Sequence, residues 1–184
     1  MIELSRGEEL DLDGVTRVRM GLGWDRLPNA GAAGSGLPDV DLDASAVQFA
    51  GGQLFDLAFY NNLSTRDGSV VHLGDNKTGR GEGDDEEITV DLARVHGPVD
   101  TVFFVVSSYQ GHSLEWIARA SCRIVDEERG TELARFTMTN GVPETGLVLA
   151  KLVRQGAGWK LVTIGRGIAM RVPSESTAKL RPFL

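Results

Sequence analysis

Between Thr16 and Asp25, the residues Val18, Met20, Leu22 and Trp24 alternate with Arg17, Arg19, Gly21 and Gly23. A two-residue repeat puts apolar side chains on one face of an extended strand and leaves the other face to solvent, a pattern that no helix can use. Alternation returns at 88–92, 118–125, 132–138, 146–153 and 159–164, and the turns EERG, TNGVPE and RQGAG separate the later segments. Short strands at this spacing predict an all-β sandwich of two mostly antiparallel sheets, with helix only in short pieces near 91–95 and 114–117. Residues 99–106, VDTVFFVV, are apolar enough to predict a central strand covered on both faces. Leu54–Tyr60 reads as a buried strand, and Asp67-Gly68 as a hairpin turn into the next. Residues 1–14 read as a polar lead-in and 26–38 as a surface loop. One domain is expected over 1–166, followed by a loosely held tail at 167–184.

At 184 residues the chain buries a sizeable core without staples. Its single cysteine, Cys122 in the run ASCRIV, reads as a packed, inert thiol in a reducing compartment. No apolar stretch follows a basic N-terminus, and nowhere do roughly eighteen apolar residues run together. A soluble, cytoplasmic protein without direct membrane insertion is therefore expected. Asp and Glu number 26 against 19 Lys and Arg, a formal charge of -7. That balance argues against a nucleic-acid partner, which needs a basic face to displace counterions from phosphates.

The acidity is concentrated. Between 61 and 92, NNLSTRDGSVVHLGDNKTGRGEGDDEEITVDL, glycine occupies every second position from Gly79 to Gly83, and Glu82, Asp84, Asp85, Glu86 and Glu87 crowd the same stretch. Packed carboxylates are relieved by a cation or by raised pKa values. Calcium takes six to eight oxygens from carboxylates, carbonyls and side-chain amides, and Asp75, Asn76, Asp84, Asp85 and the carbonyls of Gly81 and Gly83 offer those types. A second acidic block, Asp39, Asp41 and Asp43, falls at i, i+2 and i+4 and would share one side of an extended segment. Other motifs fail. In GDNKTGR at 74–80, Arg80 and Gly81 replace the lysine and hydroxyl residue of a phosphate loop, and an EF-hand register from Asp75 meets Arg80 where glycine is required. His72, His96 and His112 are scattered and read as surface or strand residues, and Trp24, Trp116 and Trp159 read as core.

The string GLGWD at 21–25, DLDAS at 41–45, the acidic stretch at 61–92, VDTVFFVVS at 99–107 and RIVDEERGTELARF at 123–136 resemble, in order, the TerD domain of tellurium-resistance and general stress proteins. The resemblance spans roughly residues 1–166. It implies a β-sandwich whose acidic loops hold calcium, typically two ions, and carries ligand positions onto Asp25, Asp41, Asp43, Asp67, Asp75, Asn76, Asp84, Asp85 and Glu86, with the backbone of Gly81 and Gly83 adding oxygens. It implies a non-enzymatic stress-response module with a protein partner, an integral membrane protein of the TerC type, and so a position peripheral to the inner membrane. The shorter 108–113 segment and the different ending after Gly165 alter surfaces a partner would use. A metal-dependent hydrolase and a calcium-dependent membrane- or ligand-binding sandwich are the competing expectations. The first needs an open coordination position; the second needs apolar or basic groups beside the acids.

Overall fold

The structure, a computed structural model, describes residues 2–74, 83–138 and 142–184, without the side chains of Ile2, Arg26, Arg119 and Met138. Its strands are β1 (Ile2–Glu3), β2 (Glu9–Asp11), β3 (Arg17–Arg26), β4 (Asp43–Ala50), β5 (Gln53–Ala58), β6 (Val70–His72), β7 (Glu86–Asp91), β8 (Thr101–Ser107), β9 (Ile117–Asp126), β10 (Thr131–Met138), β11 (Gly146–Gln155) and β12 (Gly158–Ile168). They form two six-stranded sheets, in the orders β1-β10-β9-β3-β7-β6 and β2-β12-β11-β8-β4-β5. All pairings are antiparallel except that of β1 with β10.

The alternation in β3 does what its pattern requires. Val18, Met20 and Leu22 are fully buried and Trp24 nearly so, while Arg17 and Arg19 stand on the outer face. Trp159 also enters the core, whereas Trp116 stays 36% exposed. Residues 1–14 are more than a lead-in, since β1 and β2 each add an edge strand, beside Ala134–Arg135 and Lys160–Val162. Strands of two or three residues carry too little periodicity to be read alone. The helix expected near 91–95 is a run of turns; the one near 114–117 forms as a 3-10 turn, Leu114–Trp116, in which the Ser113 hydroxyl accepts from the Glu115 amide.

β8 lies between β11 and β4 and is buried along its whole length. Val102, Phe104 and Val106 join the core between the sheets, while Phe103 and Val105 face outward into a second cluster with Val47, Phe49, Val148, Ile168, Met170 and Leu180. An apolar outer face must be covered, and residues 169–184 cover it. They bend at Arg171–Val172, form a 3-10 turn at Pro173–Glu175, a short helix α1 (Ser176–Leu180) and a last 3-10 turn at Arg181–Phe183. Met170 and Leu180 are fully buried. The segment expected to trail loosely is thus seated against the second sheet.

Candidate metal centre

Register gathers the acidic blocks at one end of the sandwich. β3 finishes there, with Trp24 and Asp25 opposite Ala120 and Arg119; β4 starts there, with Asp43 opposite Ser107 at the end of β8; and β7 starts there, with Glu86 opposite Leu22. Asp25, Asp43, Asp85, Glu86 and the Gly83 carbonyl therefore share a pole, and Asp41 lies just ahead of β4. Asp41 and Asp43 line a cleft of about 350 Å³ together with Tyr60, Asn61, Tyr109 and Gln110. The two tyrosine rings meet edge to face at 6.1 Å. Burial first, and then the field of Asp43, raises the Tyr60 phenol above its usual value. Asp75, Asn76 and Gly81 lie outside the described residues; Gly74 and Gly83 on either side of that segment belong to this pole.

Strict alternation would put Asp84 with Glu86. A bend at Asp85 changes the sorting. Asp84 turns to the outer face of the first sheet, where Arg123 Nε donates to both its oxygens at 2.8 and 2.9 Å and Arg19 approaches at 3.3 Å. Its carboxylate lies flat on Gly21: a Cβ there would stand 1.9 Å from Asp84 Oδ2. Glu87 also turns outward, to Arg19. Glu86 turns the other way, while Asp85 stays at the Gly23 side of β3. Asp85 Oδ2 accepts from the Trp24 amide at 3.1 Å, and Glu86 Oε2 reaches across to the other sheet to accept from the Ala44 amide at 2.9 Å. Both side chains are buried, Asp85 at 8% and Glu86 at 2% exposure.

Asp67 belongs elsewhere. Its Oδ1 accepts from the Thr65 hydroxyl, the Ser69 amide and the Ser69 hydroxyl at 2.7–3.0 Å, and its Oδ2 from Gln48 Nε2 at 3.2 Å and the His96 amide at 3.0 Å. Burial alone would raise this carboxyl, but the amides of His96 and Ser69 and the neighbouring hydroxyls hold it well below the usual carboxylate range. Gln48 is five residues along β4 from Asp43, about 16 Å at a strand's rise. Asp67 therefore ties its turn to the 92–100 loop, well away from the acidic pole.

Calcium would need oxygens of mixed type at that pole. Gly23 lacks the Cβ that would face Gly83 O at 3.5 Å, Ser121 Oγ at 3.8 Å and Asp85 Oδ2 at 3.9 Å. A carbonyl, a hydroxyl and a carboxylate around one open point match the hard-oxygen set calcium prefers, so the donor chemistry fits. Among the described residues, no three His, Cys, Asp or Glu side chains converge as a ready-made shell.

Two kinds of residue escaped the sequence. His72 is fully buried on β6; its Nδ1 accepts from the Gly74 amide at 3.1 Å, leaving Nε2 to donate to Glu86 Oε2 at 3.1 Å. Period-two placement after the buried Val70 was its only signal. Ser121, on the outward positions of β9, had none. Cys122 matches its expectation: burial, with Asp84 adding to it, pushes the thiol up to about 12, which leaves no thiolate for redox chemistry at neutral pH.

The TerD domain profile matches residues 1–173. The chain is 35% identical to the stress response protein SCP2 of Bacillus subtilis (strain 168), over 90% of this chain and 92% of that protein. It is 36% identical to the tellurium resistance protein TerD of Alcaligenes sp, over 91% of each. The crystal structure of a homologue of the telluride resistance protein TerD from Streptomyces coelicolor A3(2) superposes with a TM-score of 0.70 at 22% identity, covering 89% of this chain and 96% of that one, and so shares the fold. With the acidic strings, the sandwich and the sequence in agreement over nearly its whole length, the chain belongs to the TerD-domain family of tellurium-resistance and stress-response proteins.

Proposed function

We propose that this protein is a non-enzymatic, calcium-binding module of the bacterial stress response, which presents its acidic pole to a protein partner. The observation that carries the reading is the gathering of Asp25, Asp41, Asp43, Asp85 and Glu86 at one end of the sandwich, beside the oxygen-lined space at Gly23. Calcium, when bound, supplies the positive charge and multi-oxygen coordination such a pole needs. In this reading Asp85, the Gly83 carbonyl and Ser121 are the donors around Gly23, and Glu86, Asp25, Asp41 and Asp43 supply oxygens from the adjoining inter-sheet side and strand ends. The family resemblance also implies Asp75, Asn76 and Gly81, which lie outside the described residues. Asp84 and Asp67 act as organisers, because arginines and amides already engage their oxygens.

The partner surface is the pole with its rim, where Leu63, Leu73 and Tyr109 are 48%, 53% and 58% exposed. Apolar side chains around a neutralised acidic centre suit a protein interface. The partner that resemblance implies is an integral membrane protein of the TerC type, met from the cytoplasmic side. Among the described residues no helix is long and apolar enough to cross a membrane itself.

Calorimetric titration of chelator-stripped protein tests the site. Saturable calcium binding near two ions per chain, weak for magnesium, is expected. Asp85→Asn with Glu86→Gln should abolish it and Asp84→Asn should leave it. No calcium binding by the unsubstituted protein would refute the reading; turnover of a phosphoester panel with metal would replace it with a hydrolase.

A further inference from the structure

The cover on the second sheet is built differently from the sheets it protects. Up to Met170 the chain is locked to the body: Thr145 Oγ1 accepts from the Met170 amide at 3.1 Å and donates to the Met170 carbonyl at 2.9 Å. Beyond the bend at Arg171–Val172, residues 173–184 pair with no strand. They are held by side chains, chiefly Leu180 and Phe183 over Phe49, Phe103 and Val105, and by Lys151 Nζ donating to the Phe183 carbonyl at 2.5 Å. The match to the TerD domain ends at residue 173. Both sheets are therefore complete without this strap.

A strap that leaves would uncover Val47, Phe49, Phe103, Val105 and Val148, a row of aromatic and branched side chains along the outer face of β4, β8 and β11. Such a face does not persist in water. The segment already shaped to it, with Leu180 in its centre and a carbonyl for Lys151, is the same strap of another molecule. Charge favours that occupant, since 174–184 carries Lys179 and Arg181 against Glu175, whereas the chain as a whole is at -7. A basic element crossing between two acidic bodies offsets their repulsion, and every contact made within one chain is available between two.

We propose that residues 173–184 are an exchangeable strap, hinged at Arg171–Val172, which docks on the outer face of the second sheet of a second copy and makes a strap-exchanged dimer. The test uses the full chain. After incubation at high concentration, light scattering behind size exclusion is expected to show a species of twice 19.8 kDa. Leu180→Asp should return it to monomer with unchanged strand content. To identify the exchanged element, copies carrying Gly52→Cys are mixed with copies carrying Leu184→Cys, because a Cβ at Gly52 would lie 3.9 Å from Leu184 Cδ1. Diamide oxidation of the mixture should give a covalent dimer joining one copy of each kind, while the buried Cys122 stays unreacted. A chain that remains monomeric at every concentration overturns the proposal. A dimer indifferent to Leu180→Asp, or a mixture that yields no such cross-link, also overturns it, and places any association on another surface. Should Leu180→Asp fail to fold, the cross-link decides alone, since both of its positions lie at the molecular periphery.

Discussion

Gly21 and Gly23 sit two residues apart on the same face of β3, and their substitution by alanine should have opposite effects. At Gly21 the new Cβ would fall 1.9 Å from Asp84 Oδ2 and 2.2 Å from its Cγ. The carboxylate must move, and it leaves Arg123 and Arg19 behind. Breaking a buried ion pair by displacing one partner costs about 3–5 kcal/mol. Here Asp84 is 8% exposed but Arg19 and Arg123 are 20% and 29% exposed, so solvent recovers part of the loss and about 2–3 kcal/mol remains. Alanine in place of a strand glycine returns about 0.5–1 kcal/mol. The net loss is about 1–2 kcal/mol, a fall in Tm of about 3–6 °C for a domain of this size. At Gly23 the nearest atom is Gly83 O at an ordinary 3.5 Å, so stability should change by less than about 0.5 kcal/mol, while calcium affinity falls because the methyl fills the oxygen-lined space. Thermal unfolding of Gly21→Ala, Gly23→Ala, Asp84→Ala and the Gly21→Ala/Asp84→Ala double variant reads this directly. If Gly21→Ala costs the same with and without Asp84, its effect does not pass through the carboxylate and the reasoning is wrong.

Asp67→Ala removes five acceptor contacts and strands the His96 amide and Gln48; a loss of about 2–4 kcal/mol is expected in urea titration. Because the folded-state carboxyl lies below its unfolded value, the stabilisation that Asp67 contributes is fully present above about pH 4. It declines as pH falls toward the folded value, so the parent should lose stability between pH 4 and pH 2 faster than Asp67→Asn does. Leu180→Ala should cost about 2–4 kcal/mol if the strap is packed as described, and less than 1 if it is not. Native Cys122 should resist iodoacetamide at pH 8 and react fully in denaturant; labelling of the folded chain would contradict its burial.

Val18 to Trp24 could be read as a strand because one face of β3 meets the core along its whole length, and VDTVFFVV as a central strand because both its faces are covered. What covers the outer face could not be read, since Met170 and Leu180 find Phe103 and Val105 across more than sixty residues of sequence. The acidic blocks could be read from the sequence, and the register of β3, β4 and β7 brings most of their described residues to one pole. Roles within the blocks were hidden for a physical reason: a carboxylate's role is set by its donors. Besides its neighbours Thr65 and Ser69, Asp67 draws donors from Gln48 and His96, nineteen residues before and twenty-nine after it, and Asp84 draws its donors from Arg19 and Arg123 on two other strands. His72 could be read as a strand residue but not as the neighbour of Glu86, because that contact depends on the pairing of β6 with β7.

The bend at Asp85 gives the run of four acids a reading frame. With it, Asp84 and Glu87 are neutralised by arginines on the outer face, Asp85 sits beside Gly23 on the Trp24 amide, and Glu86 faces the junction between the sheets. One residue inserted or deleted between Gly83 and β7 would shift the frame, aiming arginine-bound acids inward and stranding Arg19 and Arg123 outside. Length variation in this part of the family should therefore be confined to the segment ahead of Gly83, and a single-residue insertion of a neutral residue after it should act as a null allele although every charge is retained.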